Sequence, residues 1–349
     1  MAGIGMANET HHVIDTEVCQ LNVYVQGRIM PQKPVFLTCH DLGCNHYQYE
    51  EFVAHSKMIP IMQRSTWVHI DLPGQGDGEE ELPGTYVFPP INQLPDAFRD
   101  VLEHLKIKQV VLFGEGAGAN ILARFAIAYD NLVLGAILIN CTGSPATFTE
   151  SVRDKLMNWK LSSSGMNAAT ESFLIVHRFG SVVETDSEVE LRNAVESFRQ
   201  NLRHSINPKN LNKFITSYMQ RKNLSDSLPS LKCPVLLIAG SLGSHHKKCR
   251  QLFEDLEKIR RDSAGSGQST TSEFVMIDDV SNVLTERPDK VVDSMQFFLQ
   301  GLGLLSNLKL QKTPMQLNRR MSMEDYDRPL GKTHFVSRLS QQVPEENTT

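Results

Sequence analysis

Residues Val110 to Ala119, VVLFGEGAGA, describe an apolar strand that turns into a helix through a run of small residues. A strand–turn–helix of this kind can present a nucleophile at its sharp central position, with small neighbours relieving the crowding there. The central position is Gly116, which carries no oxygen, sulfur or amine to attack a carbonyl. The frame Gly114, Glu115, Gly116, Ala117 and Gly118 is thus that of a degenerate elbow. Triad chemistry needs an acid near the end of a later strand and a histidine after the last one. The run VLLIAG ends at Gly240 and is followed by Ser241-Leu242-Gly243, with no acid, so Gly243 marks a degenerate acid place. After the last strand-like run, VMIDDVSNVL offers Ser281 and Asn282 and no histidine, so Ser281 marks a degenerate base place. Three separate losses indicate a scaffold that does not hydrolyse, and no catalytic residue is assigned.

Other chemistry is weighed on the same residues. In HDLG, the residues His40, Asp41 and Leu42 form an oxyanion-like loop whose backbone N–H groups are expected to face a pocket, with the His40 imidazole as a structural hydrogen-bonding group. Glu115, Asp278, Asp279 and His40 could together move a proton. The plainer reading makes Glu115 a local cap or ion-pair partner and Asp278-Asp279 loop carboxylates. Gly114-x-Gly116-x-x-Ala119 also has the outline of a dinucleotide turn, but that site wants an acid at the end of the next strand, where LGAILIN ends at Asn140. No cofactor is expected. Cys39, His40, Cys44 and His46, and His245-His246 with Cys249, lack the spacing of a tetrahedral site, so no metal is expected either. The six cysteines contain no CxxC pair and sit in or beside apolar runs, as buried thiols rather than a disulfide frame.

These positions need elements to hold them. Val35–Cys39, Thr66–Asp71, Val110–Phe113, Leu134–Asn140, Val235–Ala239 and Glu273–Ile277 are short runs, most of them apolar throughout, as strands of a parallel sheet covered on both faces must be. Helical patterns fall at about 49–62, 94–105, 120–129 and 289–300. The alternating run from Val13 to Val25 predicts antiparallel strands, joined to Val35 by a turn around Gly27 and Pro31. Between Gly143 and Leu228 the pattern is helical, including FLIVHRFG from Phe173 and AVESFRQNL from Ala194. It reads as a helical cap over the carboxyl ends of the strands. Alternating strands and helices define an α/β chain.

Of the 349 residues, 40% are hydrophobic and 21% charged, with a net charge of -5. That balance gives no electrostatic reason to bind nucleic acid, and no basic stripe interleaved with aromatics appears. The start lacks a signal-peptide pattern, Ala2 rather than glycine follows Met1, and no apolar run reaches the ~20 residues of a membrane span. A cytoplasmic protein without a transmembrane segment is expected. The organisation predicted is a flexible N-terminus over 1–12, an α/β domain over 13–304 with a cap inserted at about 143–230, and a disordered tail over 305–349. Asp262 to Ser272, DSAGSGQSTTS, reads as a flexible loop. The tail holds seven Lys and Arg against five Asp and Glu, a basic segment on an acidic body. Within it Arg319-Arg320-Met321-Ser322 makes Ser322 a candidate phosphosite.

Taken together, LTCHDLGCNH (Leu37 to His46), HIDLPGQ (His69 to Gln75), GEGAGANILARFA (Gly114 to Ala126), LVLGAILIN (Leu132 to Asn140) and FFLQGLG (Phe297 to Gly303) resemble the N-myc downstream-regulated (NDRG) family, from about His12 to Leu304. The family comprises non-catalytic members of the α/β-hydrolase superfamily. The resemblance implies a mostly parallel eight-stranded sheet with helices on both faces and a helical cap. It also implies cytoplasmic residence, roles in stress response, differentiation, trafficking or signalling through protein partners, a phosphorylated tail and, in some members, peripheral membrane association. This chain departs from the pattern in its tail, which lacks the repeated Arg/Ser-Thr motif, in a short lid around Asn223 to Leu231 and in a long loop at Asp262 to Ser272. Two function classes remain open: a non-enzymatic adaptor, and a small-ligand sensor or weak unconventional hydrolase using the retained pocket.

Overall fold

A computed structural model describes residues 9–144, 166–180, 189–263 and 271–306. Eight strands form one sheet: β1 (Glu9–Asp15), β2 (Gln20–Gln26), β3 (Val35–Cys39), β4 (Thr66–Asp71), β5 (Val110–Glu115), β6 (Val133–Ile139), β7 (Val235–Gly240) and β8 (Ser272–Ile277). Their spatial order is β1-β2-β4-β3-β5-β6-β7-β8. β1 pairs antiparallel with β2 and β2 with β4, and every other pairing is parallel. The first strand begins at Glu9, so residues 9–12, expected within the flexible N-terminus, are instead paired with β2.

The central strands are buried on both faces, which explains their unbroken apolar runs. In β5, Val110 and Leu112 join one core cluster while Val111 and Phe113 join the other. Phe36 of β3 stacks on Trp67 of β4 at 4.4 Å on the second face. The helices among the described residues, in chain order, are α1 (Glu50–Val53), α2 (Ile59–Met62), α3 (Leu94–His104), α4 (Gly116–Ala128), α5 (Ala168–Phe179), α6 (Val189–His204), α7 (Pro208–Met219), α8 (His246–Ser263), α9 (Val283–Glu286) and α10 (Pro288–Gly301). α3 and α4 serve the first face and α10 the second.

Two helices differ from expectation. The stretch expected as one helix over 49–62 breaks into α1, α2 and 3-10 turns at His46–Tyr49 and Ser56–Met58. His55 is extended and caps the second turn with its ring, and Pro60 has no N–H to continue a helix from that turn. α4 begins at Gly116, not Asn120. Glycines disfavour helix in isolation, but a Cβ on Gly118 would collide with the carbonyl of Cys39, so close packing of α4 on β3 requires the small residue.

The described helices between β6 and β7 lie over the loops that follow the strands. Asn201 of α6 donates to the carbonyl of Gly43, and Asn210 of α7 bonds the backbone of Glu80 and Leu82. Buried Glu171 of α5 accepts from Arg199 and Arg203 of α6, tying the two helices together. Parts of the predicted cap (145–165 and 181–188), most of the predicted 262–272 loop and the tail from 307 fall outside the described residues. Among the described residues, no helix is long and apolar enough to cross a membrane.

Candidate functional site

After β3 the chain turns back through β4 on one side and then crosses to β5 on the other. A crevice therefore forms outside the carboxyl ends of β3 and β5, the place where open α/β sheets bind their ligands. Asp41 follows β3 there, and Gly116 opens the helix after β5.

Gly116 has φ +57°, a left-handed conformation that glycine adopts without a Cβ penalty. The space its side chain would fill is taken: a Cβ built on Gly116 would overlap the carboxyl group of Asp41. Oδ1 of Asp41 accepts from the N–H of Ala117 at 2.7 Å and from the N–H of Leu42 at 2.8 Å. In serine hydrolases with this strand–turn–helix, the N–H after the nucleophile and an N–H from the loop after β3 form the oxyanion hole. Here the corresponding pair of donors serves a resident carboxylate. The N–H of Asp41 itself is used by Oε1 of Gln48 at 2.6 Å.

A third donor reaches Asp41 from the helices above. Nε2 of His177, on α5, lies 3.2 Å from Oδ1. The other nitrogen of that ring is 3.0 Å from Nε2 of His245, the two sharing a proton. Burial works to raise the Asp41 carboxyl, but the charge and hydrogen bond of His177 and the two backbone N–H groups outweigh it and hold the group at about 2. Burial, reinforced by repulsion from His177, pushes His245 down to about 3.

Glu115 is buried behind Asp41. Its Oε2 accepts from Gln48 at 2.8 Å, its Oε1 from Asn282 at 3.0 Å, and the Arg178 guanidinium stands 3.9 Å away. Burial raises its pKa, with Arg178 opposing. The four groups weighed for proton transfer are not brought together. Asp278 and Asp279 are exposed. His40 donates from Nδ1 to the carbonyl of Asp41 at 2.9 Å and accepts at Nε2 from the N–H of Leu72 at 3.1 Å, so both nitrogens are occupied; burial lowers its pKa, with Asp71 and the bond to the Asp41 carbonyl opposing.

The loops after β7 and β8 pack backbone on backbone. A Cβ on Gly240 would lie 2.5 Å from the carbonyl of Val280, and one on Gly243 2.9 Å from that of Ser281. The Ser281 hydroxyl donates to Glu286 at 2.9 Å, and that carboxylate also accepts the N–H groups of Ser281 and Asn282. All six cysteines are buried and free. Among the described residues no three His, Cys, Asp or Glu side chains are grouped to hold a metal.

The sheet order, the elbow and the crevice define the α/β-hydrolase fold. Solved structures agree: a Thermogutta terrifontis esterase matches with TM-score 0.64 and 19% identity, covering 85% of this chain and 99% of that one. An enol-lactonase from Burkholderia xenovorans matches with TM-score 0.64 and 17% identity, covering 83% and 100%. Within that fold class, residues 11–306 match the Ndr family, and the chain belongs to it. An uncharacterized Caenorhabditis elegans protein is 32% identical over 91% of this chain and 92% of its own length. Protein NDRG3 of Xenopus tropicalis is 29% identical over 86% of this chain and 74% of its own.

Proposed function

We propose that this protein is a non-enzymatic adaptor or regulatory protein that uses a hydrolase body as a rigid recognition surface, in signalling, stress response, differentiation or trafficking. The observation that carries the reading is the Asp41 carboxylate. It lies where a nucleophile's side chain would project from Gly116, and it accepts the two N–H groups that an oxyanion would need. A tetrahedral intermediate placed there would set one negative charge against another. Gly114, Glu115, Gly116, Ala117 and Gly118 then form a degenerate elbow, and Gly243 and Ser281 fill the acid and base places without acid or base. His40, Asp41 and Leu42 form an oxyanion-like loop closed by its own side chain. The reading includes cytoplasmic residence, protein partners and a regulatory tail phosphorylated at Ser322.

The purified protein should neither turn over short-chain esters nor react with a serine-directed phosphonate, and Gly116→Ser should not restore either activity, since acid and base would still be absent. Stoichiometric phosphonate labelling of the unmodified protein would overturn the proposal. The second reading, a ligand sensor or weak unconventional hydrolase, is favoured by one observation, the hydrogen-bonded run Asp41–His177–His245. Turnover lost on His177→Gln in a substrate screen would establish it.

A further inference from the structure

A separate groove of about 500 Å³ runs between α7 and residues 87–92, in the connection from β4 to α3. Lys213 donates to the carbonyl of Tyr86 at 3.1 Å and Ser217 to that of Pro89 at 2.7 Å, which ties the helix to that segment. The segment makes an apolar wall on which Phe88 and Ile91 are buried while Val87 and Pro90 stand exposed. At 83% exposure Val87 is the most exposed large apolar side chain among the described residues. The helix wall is basic: Lys213 and Arg221 line the groove and no carboxylate does. Neither cation is in a salt bridge among the described residues, although Lys209, one turn earlier on α7, pairs with Glu81 at 2.8 Å. Arg221 lies 3.8 Å over the Tyr218 ring and donates only to neutral oxygens, those of Tyr218, Thr142 and Ser144. Burial, followed by repulsion from Arg221, lowers the pKa of Arg124, and exposed Lys222 follows in the chain. This end of the groove is therefore positive on a chain whose net charge is -5.

Asn92 and Gln220, one on each wall, are exposed, and their side chains make no hydrogen bond among the described residues. Each amide offers donors and an acceptor, which are the groups an extended backbone presents at every residue. We propose that the groove docks an acidic, extended segment of a partner protein, with one apolar side chain against Val87 and Pro90 and carboxylates towards Lys213 and Arg221. The two cations are about two helical turns apart in sequence, roughly 12 Å, which about four residues of extended chain would span. Two acids four residues apart with an apolar residue midway would then share one face of the segment. An anionic membrane has the charge but not the shape, because both cations are only partly exposed, within a groove. The inference rests on the recognition-surface reading for its partner. No residue of the groove acts at Gly116 or Asp41, so phosphonate labelling and peptide binding fail separately.

The test is fluorescence polarisation of the labelled peptide Ser-Glu-Ala-Leu-Ala-Glu-Ser titrated with the full chain, beside the same peptide with glutamine for both glutamates. Saturable binding of the acidic peptide is expected, weakening as salt is raised, with the glutamine peptide weaker by about tenfold or more. Val87→Asp, at an exposed position, should weaken the acidic peptide by about tenfold or more while leaving the melting midpoint unchanged. Gln220→Glu, also exposed, should weaken it about two- to fivefold. Absence of saturable polarisation at millimolar protein overturns the proposal. So does a glutamine peptide that binds as tightly, or binding that survives Val87→Asp. Sedimentation with phosphatidylserine vesicles that Val87→Asp abolishes, without binding of the peptide, would assign the groove to a membrane instead and overturn it as well.

Discussion

Asp41 and Asp71 stand at the carboxyl ends of neighbouring strands, each almost inaccessible and each hydrogen-bonded to an imidazole, yet they are wired differently. Both oxygens of Asp71 are satisfied by one residue of the nearby loop, His46, through its N–H at 2.5 Å and its ring Nδ1 at 2.7 Å. That ring is packed between Tyr24 and Tyr47, at 3.6 and 4.0 Å. The donors to Asp41 come from three places: its own loop, α4, and α5, the last 136 residues away in sequence. A buried carboxylate must be paired to be tolerated. The Asp71 pair therefore fixes one loop, whereas the Asp41 charge fastens sheet, elbow helix and overlying helix to one another.

The largest effect is expected where the Asp41 arrangement is crowded. Gly116→Ser forces a side chain into the carboxylate and places a non-glycine residue at φ +57°. Overpacking of about 1–3 kcal/mol and a left-handed cost of about 1–2 kcal/mol should add to a loss of about 3 kcal/mol in urea denaturation. Asp41→Ala should then cost less in the Gly116→Ser chain than in the parent, because there it also relieves the overlap. A Gly116→Ser protein as stable as the parent would mean that the two groups do not compete for space.

Asp41→Asn and Asp71→Asn then test the difference in wiring. Each removes one partner of a buried pair, at about 3 kcal/mol. Of the two variants, only Asp41→Asn should speed proteolytic cleavage in and around α5, because of the two aspartates only Asp41 bonds a residue of that helix. Identical digestion patterns for the two variants would break the comparison.

The sequence made one side of this arrangement legible and hid the other. Strands β3 to β7 were readable to within about two residues because burial on both faces leaves a mostly apolar run; β8, at the sheet edge and only partly buried, was read from its FVMI run, and Gly116 stands in the strand-to-helix turn read from its small residues. Asp41 was read in the HDLG loop after β3, with the backbone N–H groups of that loop expected to face a pocket. That the Asp41 side chain takes those donors depends on how closely α4 approaches β3. His177 carried no local signal beyond one histidine in an apolar helix, and His245 stood out only as half of a His-His pair weighed for metal. Contacts spanning 136 and 68 residues leave no spacing to read.

Acid should act on both regions at once, with the share of the β4 side ending at the higher pH. His245 belongs to the Asp41 run and has a folded pKa of about 3, while burial, followed by repulsion from His46, pushes His69, on the Asp71 strand, down to about 4. For both, the unfolded chain takes up protons first, from about pH 6.5. Stability should therefore fall with decreasing pH until the folded pKa is reached. Asp41 contributes above its ordinary 3.8 and loses that contribution as pH falls towards about 2. In urea midpoints measured against pH, His245→Gln should flatten the slope between about pH 6 and 4, leaving the step below 4. An unaltered slope would show that His245 is not held neutral by the fold.

Glu115→Gln is expected to have a smaller effect. Both carboxylate oxygens accept from amides, so the isosteric amide would turn one acceptor into a donor facing Gln48 or Asn282, at about 1 kcal/mol. Partner binding should be unchanged. Turnover of any substrate that this variant loses would instead place Glu115 in a proton-transfer site.

The smallest effect on the folded body should come from Ser322→Glu. The substitution lies outside the described residues, in the segment whose sequence is net basic, and neither aspartate pair involves it. Phosphorylation would add roughly -1.5 to -2 charge there and offset the excess of Lys and Arg. Attraction to an anionic membrane surface, about 1 kcal/mol for each basic residue near it, should fall accordingly. Ser322→Glu should therefore weaken binding to phosphatidylserine vesicles or change partner capture while leaving the melting midpoint at the parental value. A shifted midpoint would mean that the tail packs on the body and that the Asp41 and Asp71 pairs are not independent of it, and unchanged binding in every assay would remove the tail's electrostatic role.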